Sequence, residues 1–452
     1  MKKIKYYTLL LSLFALGFTA CDDNLDVEPE QSLSPEVATS TPANIQTILV
    51  GMYAEARDND SYGGHIALAS ELLANDGELS WNGTYTQPAE FDEKAILADN
   101  SYVRDIWMNA YEIINQANIV LANLDVFDDE DARAQAEGEA KFLRGLAYFD
   151  LVRLFSKPYE MGANGGQLGV PIVLEPVLDA SAITYPARNT IEEGYSLVIN
   201  DLTDAYNLLP EDNGFYASKY SAQGLLARVY LQRGDYELAR DAADDVIKNS
   251  GFELTSDFSA AFNNDENSDE DILAFQVTSQ DASGNSFNEF WGGYDFGGRS
   301  GDPDLSILDP HFSIYDDPED DRAEFFYETD RGVATMKWQS QFANIPFIRL
   351  AEMYLIRAEA NERLDTEIGA TPLEDINTLR LRANATPFEA VDLDEILMER
   401  RRELAFEGFA LFDAKRLARD VGDISYDANN LVLPIPLREM DANDELEQNP
   451  GY

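Results

Sequence analysis

Two histidines, His65 and His311, and one cysteine, Cys21, are all the imidazole and thiol chemistry available to these 452 residues. A Cys–His nucleophilic pair is excluded, because Cys21 sits at the end of an N-terminal apolar leader. No Gly-x-Ser-x-Gly elbow occurs, since Gly298-Arg299-Ser300-Gly301 has the wrong spacing. A zinc site would rest almost wholly on carboxylates, against that ion's preference for nitrogen and sulfur. The acidic run Asp265–Asp271 has Glu270 where a calcium loop needs glycine and Gln276 where it needs glutamate, so it reads as a solvated loop. The 84 acids offer many carboxylate pairs for glycoside hydrolysis, but no motif places one. The expectation is a protein without catalysis, cofactor or metal.

What remains is chemistry of contact. Flat aromatic faces pack on apolar faces of a ligand, while amides and charged groups bond its hydroxyls. Two segments carry that mixture, Ser80–Gln87 with Trp81, Asn82 and Tyr85, and Asn285–Arg299 with Trp291, Tyr294 and Arg299. These six residues are the candidate ligand contacts. Trp81 and Trp291, each flanked by Gly or Asn, are equally suited to plugging their loops onto the fold. Trp107 lies at helical core spacing and reads as core, and Trp338 as strand packing.

The elements that must position these loops are helices. Ile45, Leu49 and Met52-Tyr53 repeat at three and four; Tyr102 to Leu121 and Glu137 to Phe155 continue the pattern. A helix over Ile191–Leu208 starts at a capping box of Thr190 and Glu193 and stops before Pro210. In Tyr220–Asn249, Leu226-Ala227, Tyr230, Gly234-Asp235-Tyr236 and Ala239 match a tetratricopeptide helix pair. A second pair runs from Ile348 with a partner at Thr371–Ala383, and a last helix spans Leu393–Arg419. The Glu/Arg cluster Glu399–Glu403 in that helix reads as structural ion pairing. The fold class expected is mostly α: three to four tetratricopeptide-like hairpins scattered along the chain, with a loop-rich irregular insertion at about 252–347 containing short strands such as Ile272–Val277.

Residues 1–20 read as a signal peptide, with lysines at 2, 3 and 5 before the apolar run Thr8–Phe18, too short to span a membrane. Cys21 stands where a lipoprotein signal peptidase leaves its lipid-bearing residue. Ala15-Leu16-Gly17 is a second, ordinary cleavage pattern. A polar tether at 21–42 precedes one domain at 43–452. The formal charge of −51 repels phosphate backbones and anionic headgroups, which excludes nucleic-acid binding and electrostatic membrane docking.

Seven blocks in order resemble the SusD/RagB family of Bacteroidetes outer-membrane glycan-binding lipoproteins. They are the Cys21 start; Tyr102, Trp107, Tyr111 and Ala117-Asn118; Ala140–Gly145 through Phe155; Leu226–Ala239; Arg349–Glu359; Glu399-Arg400-Arg401 through Glu407-Gly408; and Leu433–Pro436 with Asn449–Tyr452. The resemblance implies a tetratricopeptide-like scaffold, lipid-anchored through Cys21 on the outer membrane and exposed at the cell surface. It implies a SusC-like TonB-dependent transporter as partner and an oligosaccharide as cargo; the chain's negative charge favours a neutral glucan. The competing reading is a tetratricopeptide-type interaction scaffold without a sugar site.

Overall fold

The computed structural model describes residues 35–160, 166–280, 285–299 and 303–452. The expected signal peptide, Cys21 and most of the tether lie outside these residues.

After one turn at Pro35–Ala38 come α1 (Pro42–Arg57), α2 (His65–Leu73), β1 (Leu79–Trp81) and α3 (Thr86–Asp92). The scaffold continues with α4 (Ser101–Ala122), α5 (Glu130–Phe155), α6 (Ile191–Leu208), α7 (Lys219–Arg233) and α8 (Tyr236–Asn249). The capping box at Thr190 forms as expected, each partner bonding the other's backbone. Gly234 closes α7 at φ 81°, a left-handed conformation that a side chain would strain, and this turns the chain back into α8. Trp107 is buried on α4, in the core as expected.

The loop-rich stretch holds β2 (Asp271–Phe275), α9 (Ser286–Trp291), β3 (Leu305–Ile307), β4 (Phe326–Thr329), β5 (Gly332–Thr335) and β6 (Ile345–Arg349). Strands β1-β3-β5-β4 form one antiparallel sheet, and β2 pairs with β6. The strand expected over 272–277 and the helix expected from Ile348 are each displaced by one or two residues: β6 ends at Arg349, which caps α10 (Leu350–Leu364). Then follow α11 (Pro372–Arg382), α12 (Leu393–Leu404), α13 (Ala410–Arg416) and α14 (Leu437–Ala442).

The helical hairpins hold as expected, and the last helix is corrected. The hairpins, scattered in sequence, form one continuous series in space: α1 packs on α4, then α5, α6, α7, α8, α10 and α11 in turn. Buried ion pairs fix that register. Arg144 on α5 grips Asp201 on α6 at 2.7 and 2.8 Å, Arg228 on α7 grips Glu352 on α10, and Arg357 on α10 joins Asp375 to Asp244. The single helix expected over 393–419 is two. Phe406 at φ 65° and Gly408 at φ 87° break it, and Lys337 Nζ holds the bend by donating to the carbonyls of Glu403 and Ala405.

The two acids of the Glu399–Glu403 cluster are structural. Arg349 and Arg382 converge on Glu270 and Glu403, and Arg322 spans Asp320, Glu399 and Glu403, all almost fully buried. These pairs tie the loop-rich part to α11 and α12. The surrounding guanidinium groups hold the Glu403 carboxyl far below the usual range despite its burial. The largest apolar core runs through both parts, from Ile45 to Leu446.

Candidate functional site

The two aromatic segments meet. Trp81 ends β1 opposite Leu305 of β3, and strand pleating turns its ring away from the face carrying Ser80 and Asn82. The indole is half-buried, donates through Nε1 to the Tyr85 carbonyl (3.2 Å) and stands edge-on to Phe290 of α9, centroids 5.8 Å apart. Gly83 makes this turn possible, because a Cβ there would lie 2.3 Å from the Trp81 ring. Tyr85 also stands edge-on to Phe290, at 6.4 Å.

Arg299 reaches this cluster from the second segment. Its guanidinium lies 3.7 Å from the Tyr85 ring centroid, a cation–π contact. Nη1 donates to Asp304 Oδ2 (2.7 Å), Nη2 reaches Thr84 Oγ1 (3.4 Å), and Glu289 lies 3.9 Å from Nε. One face of Tyr85 is thus occupied by Arg299, yet 39% of the residue remains exposed. Tyr294 (62% exposed) and Phe296 (43% exposed) sit on a one-turn 3₁₀ helix between α9 and Arg299. Asn288 fixes that turn by donating to the carbonyls of Phe296 (3.0 Å) and Trp338 (2.8 Å), while Gly293 N–H donates to the Tyr327 hydroxyl.

Beneath the cluster, Tyr102 in the first turn of α4 stacks on His65 of α2, centroids 3.9 Å apart and rings 13° from parallel. Burial first, then the nearby Glu289, pushes the Tyr102 phenol well up, so it is a neutral hydroxyl. Asp60 Oδ1 lies 3.0 Å from His65 Nδ1.

The structure therefore gathers Trp81, Tyr85 and Arg299 in one surface cluster, with Tyr294 on the adjoining turn. Two candidates are corrected. Trp291 is 1% exposed, lies in α9 instead of a loop, and packs on Phe406 (5.0 Å); its ring offers no free face. Asn82 faces the other side of the sheet, where its amide bonds Ser306 Oγ (2.7 Å) and accepts from Ser80 Oγ (3.1 Å). Sequence reasoning missed Phe290, the common backing of Trp81 and Tyr85, and Tyr102, whose helical spacing classed it with the core. Trp338 is buried, as expected of a packing residue, but in a 3₁₀ turn, its Nε1 donating to the Phe406 carbonyl.

Among the described residues no three His, Cys, Asp or Glu side chains come together as a metal site, and no helix is long and apolar enough to cross a membrane.

Comparison with known proteins points one way. A family profile described as "Starch-binding associating with outer membrane" matches residues 23–231, and one described as the SusD family matches residues 313–431. The SusD-like protein P2 of Formosa agariphila is 26% identical over 534 aligned positions, covering 100% of both chains. The starch-binding protein SusD of Bacteroides thetaiotaomicron is 30% identical over 148 residues, 27% of this chain and 26% of its own length. The crystal structure of a putative sugar binding protein from Bacteroides vulgatus superposes with a TM-score of 0.79 at 28% identity, over 91% of this chain and 99% of that one.

Proposed function

Because this chain belongs to the SusD/RagB family, we propose that it is a non-catalytic oligosaccharide-binding lipoprotein that captures glycan for a SusC-like TonB-dependent transporter. The reading places it on the outer membrane, anchored by lipid on Cys21 and exposed at the cell surface. The observation that carries it is the surface cluster in which Trp81 and Tyr85, backed by Phe290, present partly exposed rings beside Arg299, with Tyr294 on the adjoining turn. Rings held in place by neighbours, with the Thr84 hydroxyl and the Arg299 guanidinium alongside, suit a pyranose chain.

Charge selects the class of glycan. Arg299 is already met by Asp304 and Glu289, so among the described residues the cluster has no surplus cation for a uronate or sulfate, and a neutral glucan fits it best. Both histidines are buried, His65 under Tyr102 and His311 at 2% exposure, which supports binding without chemistry.

Calorimetric titration with maltoheptaose, preceded by a glycan array, tests the proposal. Each exposed ring contributes about 1–2 kcal/mol, so Trp81→Ala and Tyr85→Ala should each weaken binding roughly 5- to 30-fold. Affinity unchanged in both variants, or an array on which no oligosaccharide binds, would leave the interaction scaffold as the better reading.

A further inference from the structure

Phe406, against which Trp291 packs, also lines a cleft of about 290 Å³ between the end of α2, the start of β1 and the α12–α13 bend. Four arginines line it, Arg400, Arg401, Arg416 and Arg419, in a chain with 33 basic and 84 acidic residues. Its acids are largely engaged. Asp413 accepts from Arg400 Nε (2.9 Å) and Arg416 Nε (2.6 Å), and Glu359 clamps the other end of Arg416 at 2.6 and 2.9 Å. Glu78 takes Arg401 and lies 3.0 Å from His311 Nδ1, Glu71 accepts from Gly408 N–H, and Asp420 from Tyr426 N–H. Asp76 stands at the rim facing Lys94 and Arg401.

The donors are not all engaged. Arg400 is 3% exposed, and its Nη1 has no hydrogen-bond partner among the described residues. Arg419 is exposed and makes no ion pair among them. Burial, and then the adjacent Arg419, hold the Arg401 guanidinium below its ordinary range, as like charges held together do. An acceptor is left over as well. Burial keeps His311 neutral, its pKa down at about 3; assigning its proton to Nδ1, toward Glu78, leaves Nε2 a buried acceptor without a partner. Leu397, Leu404, Phe406 and Leu417 supply an apolar wall. The bend is held in a strained form, with Phe406 at φ 65° and Trp338 Nε1 on its carbonyl (3.1 Å); such strain concentrates at binding sites.

We infer that this cleft binds a small hydroxylated carboxylic acid of monosaccharide size, a uronic acid in class, its carboxylate taken by the arginines and a hydroxyl by His311. Guanidinium groups favour carboxylates as partners, Arg400 keeps a donor unmet among the described residues, and the volume lies at the small end of ligand pockets. The site is separate from the aromatic cluster, which has no unpaired cation among the described residues, and the two sort acidic from neutral sugars.

Calorimetry on the full chain with sodium glucuronate, glucose and acetate as probes tests this, with maltoheptaose run in parallel. Glucuronate should bind and glucose should not. Arg419→Glu, at an exposed position that leaves folding intact, should weaken glucuronate about tenfold or more, one charge-assisted pair's worth, and leave maltoheptaose unchanged. Tyr85→Ala should do the reverse. Glucuronate that fails to bind, binds Arg419→Glu equally well, or is lost in Tyr85→Ala overturns the inference, as does acetate matching glucuronate, which would leave a bare anion site. A wild-type chain that binds glucuronate but not maltoheptaose would overturn the aromatic-cluster reading instead.

Discussion

Replacing Trp291 with alanine separates core from platform. The indole is 1% exposed and seated on Phe406, so its removal leaves a cavity where α9 meets the α12–α13 bend. Truncation of a buried aromatic costs about 3–5 kcal/mol. At ~2.1 cal/mol/K per residue, about 410 folded residues carry an unfolding entropy near 0.9 kcal/mol/K, so the melting temperature should fall by roughly 4–6 °C. The assay is differential scanning calorimetry beside glycan titration at 20 °C, where the variant is still folded. Affinity should stay within about twofold of wild type, because the ring touches Phe406 instead of the cluster, whereas Tyr85→Ala should lose affinity and melt within about 2 °C of wild type. A Trp291→Ala protein that melts like wild type but has lost its glycan would refute the burial argument and restore the ring to the binding face.

Burial pushes the Glu71 carboxyl from 4.5 up to about 7 even though it accepts from Gly408 N–H (2.8 Å). An acid whose folded pKa is raised keeps its proton longer in the native state, so stability falls as pH rises from about 4.5 to about 7 and is level above that. The gap is worth about 3 kcal/mol. Glu71→Gln keeps the acceptor and removes the titration: urea unfolding should find it more stable than wild type at pH 8 and nearly equal at pH 4, and a variant no more stable at pH 8 contradicts the assignment. Cys21→Ala should move the protein from the membrane fraction to the soluble one; retention on membranes through a high-salt wash would count against a lipid anchor, since salt strips only electrostatic attachment.

Helix existence was legible because it rests on local signals: the Thr190/Glu193 box, the Gly234 turn, and the three- and four-residue spacing through Trp107. The break at 405–409 was not, because nothing local forbids a helix there; Lys337, some seventy residues upstream, captures the carbonyls that a continuing helix would have used. Of the candidate contacts, Trp81, Tyr85 and Arg299 do meet in space. The errors come from treating short elements as loops. Leu79-Ser80-Trp81-Asn82 alternates, so adjacent Trp81 and Asn82 face opposite sides once β1 pairs with β3. Asn285 caps a helix by accepting from Asn288 N–H, and that helix turns Trp291 inward, a result hidden by the glycines that follow it.

The acidic balance of the chain explains where its arginines went. With 84 acids and 33 bases, an exposed arginine faces mostly solvent-screened partners and gains little. A buried one surrounded by two or three carboxylates can hold distant segments in a single register. Arg349, Arg382 and Arg322 do this between the loop-rich part and α11–α12, whereas the partly exposed Arg299 bonds Asp304 while covering Tyr85. Among the described residues Arg400 Nη1 departs from that pattern, as Arg382 Nε does, but only Arg400 lines a cavity large enough for a ligand whose oxygen would meet it.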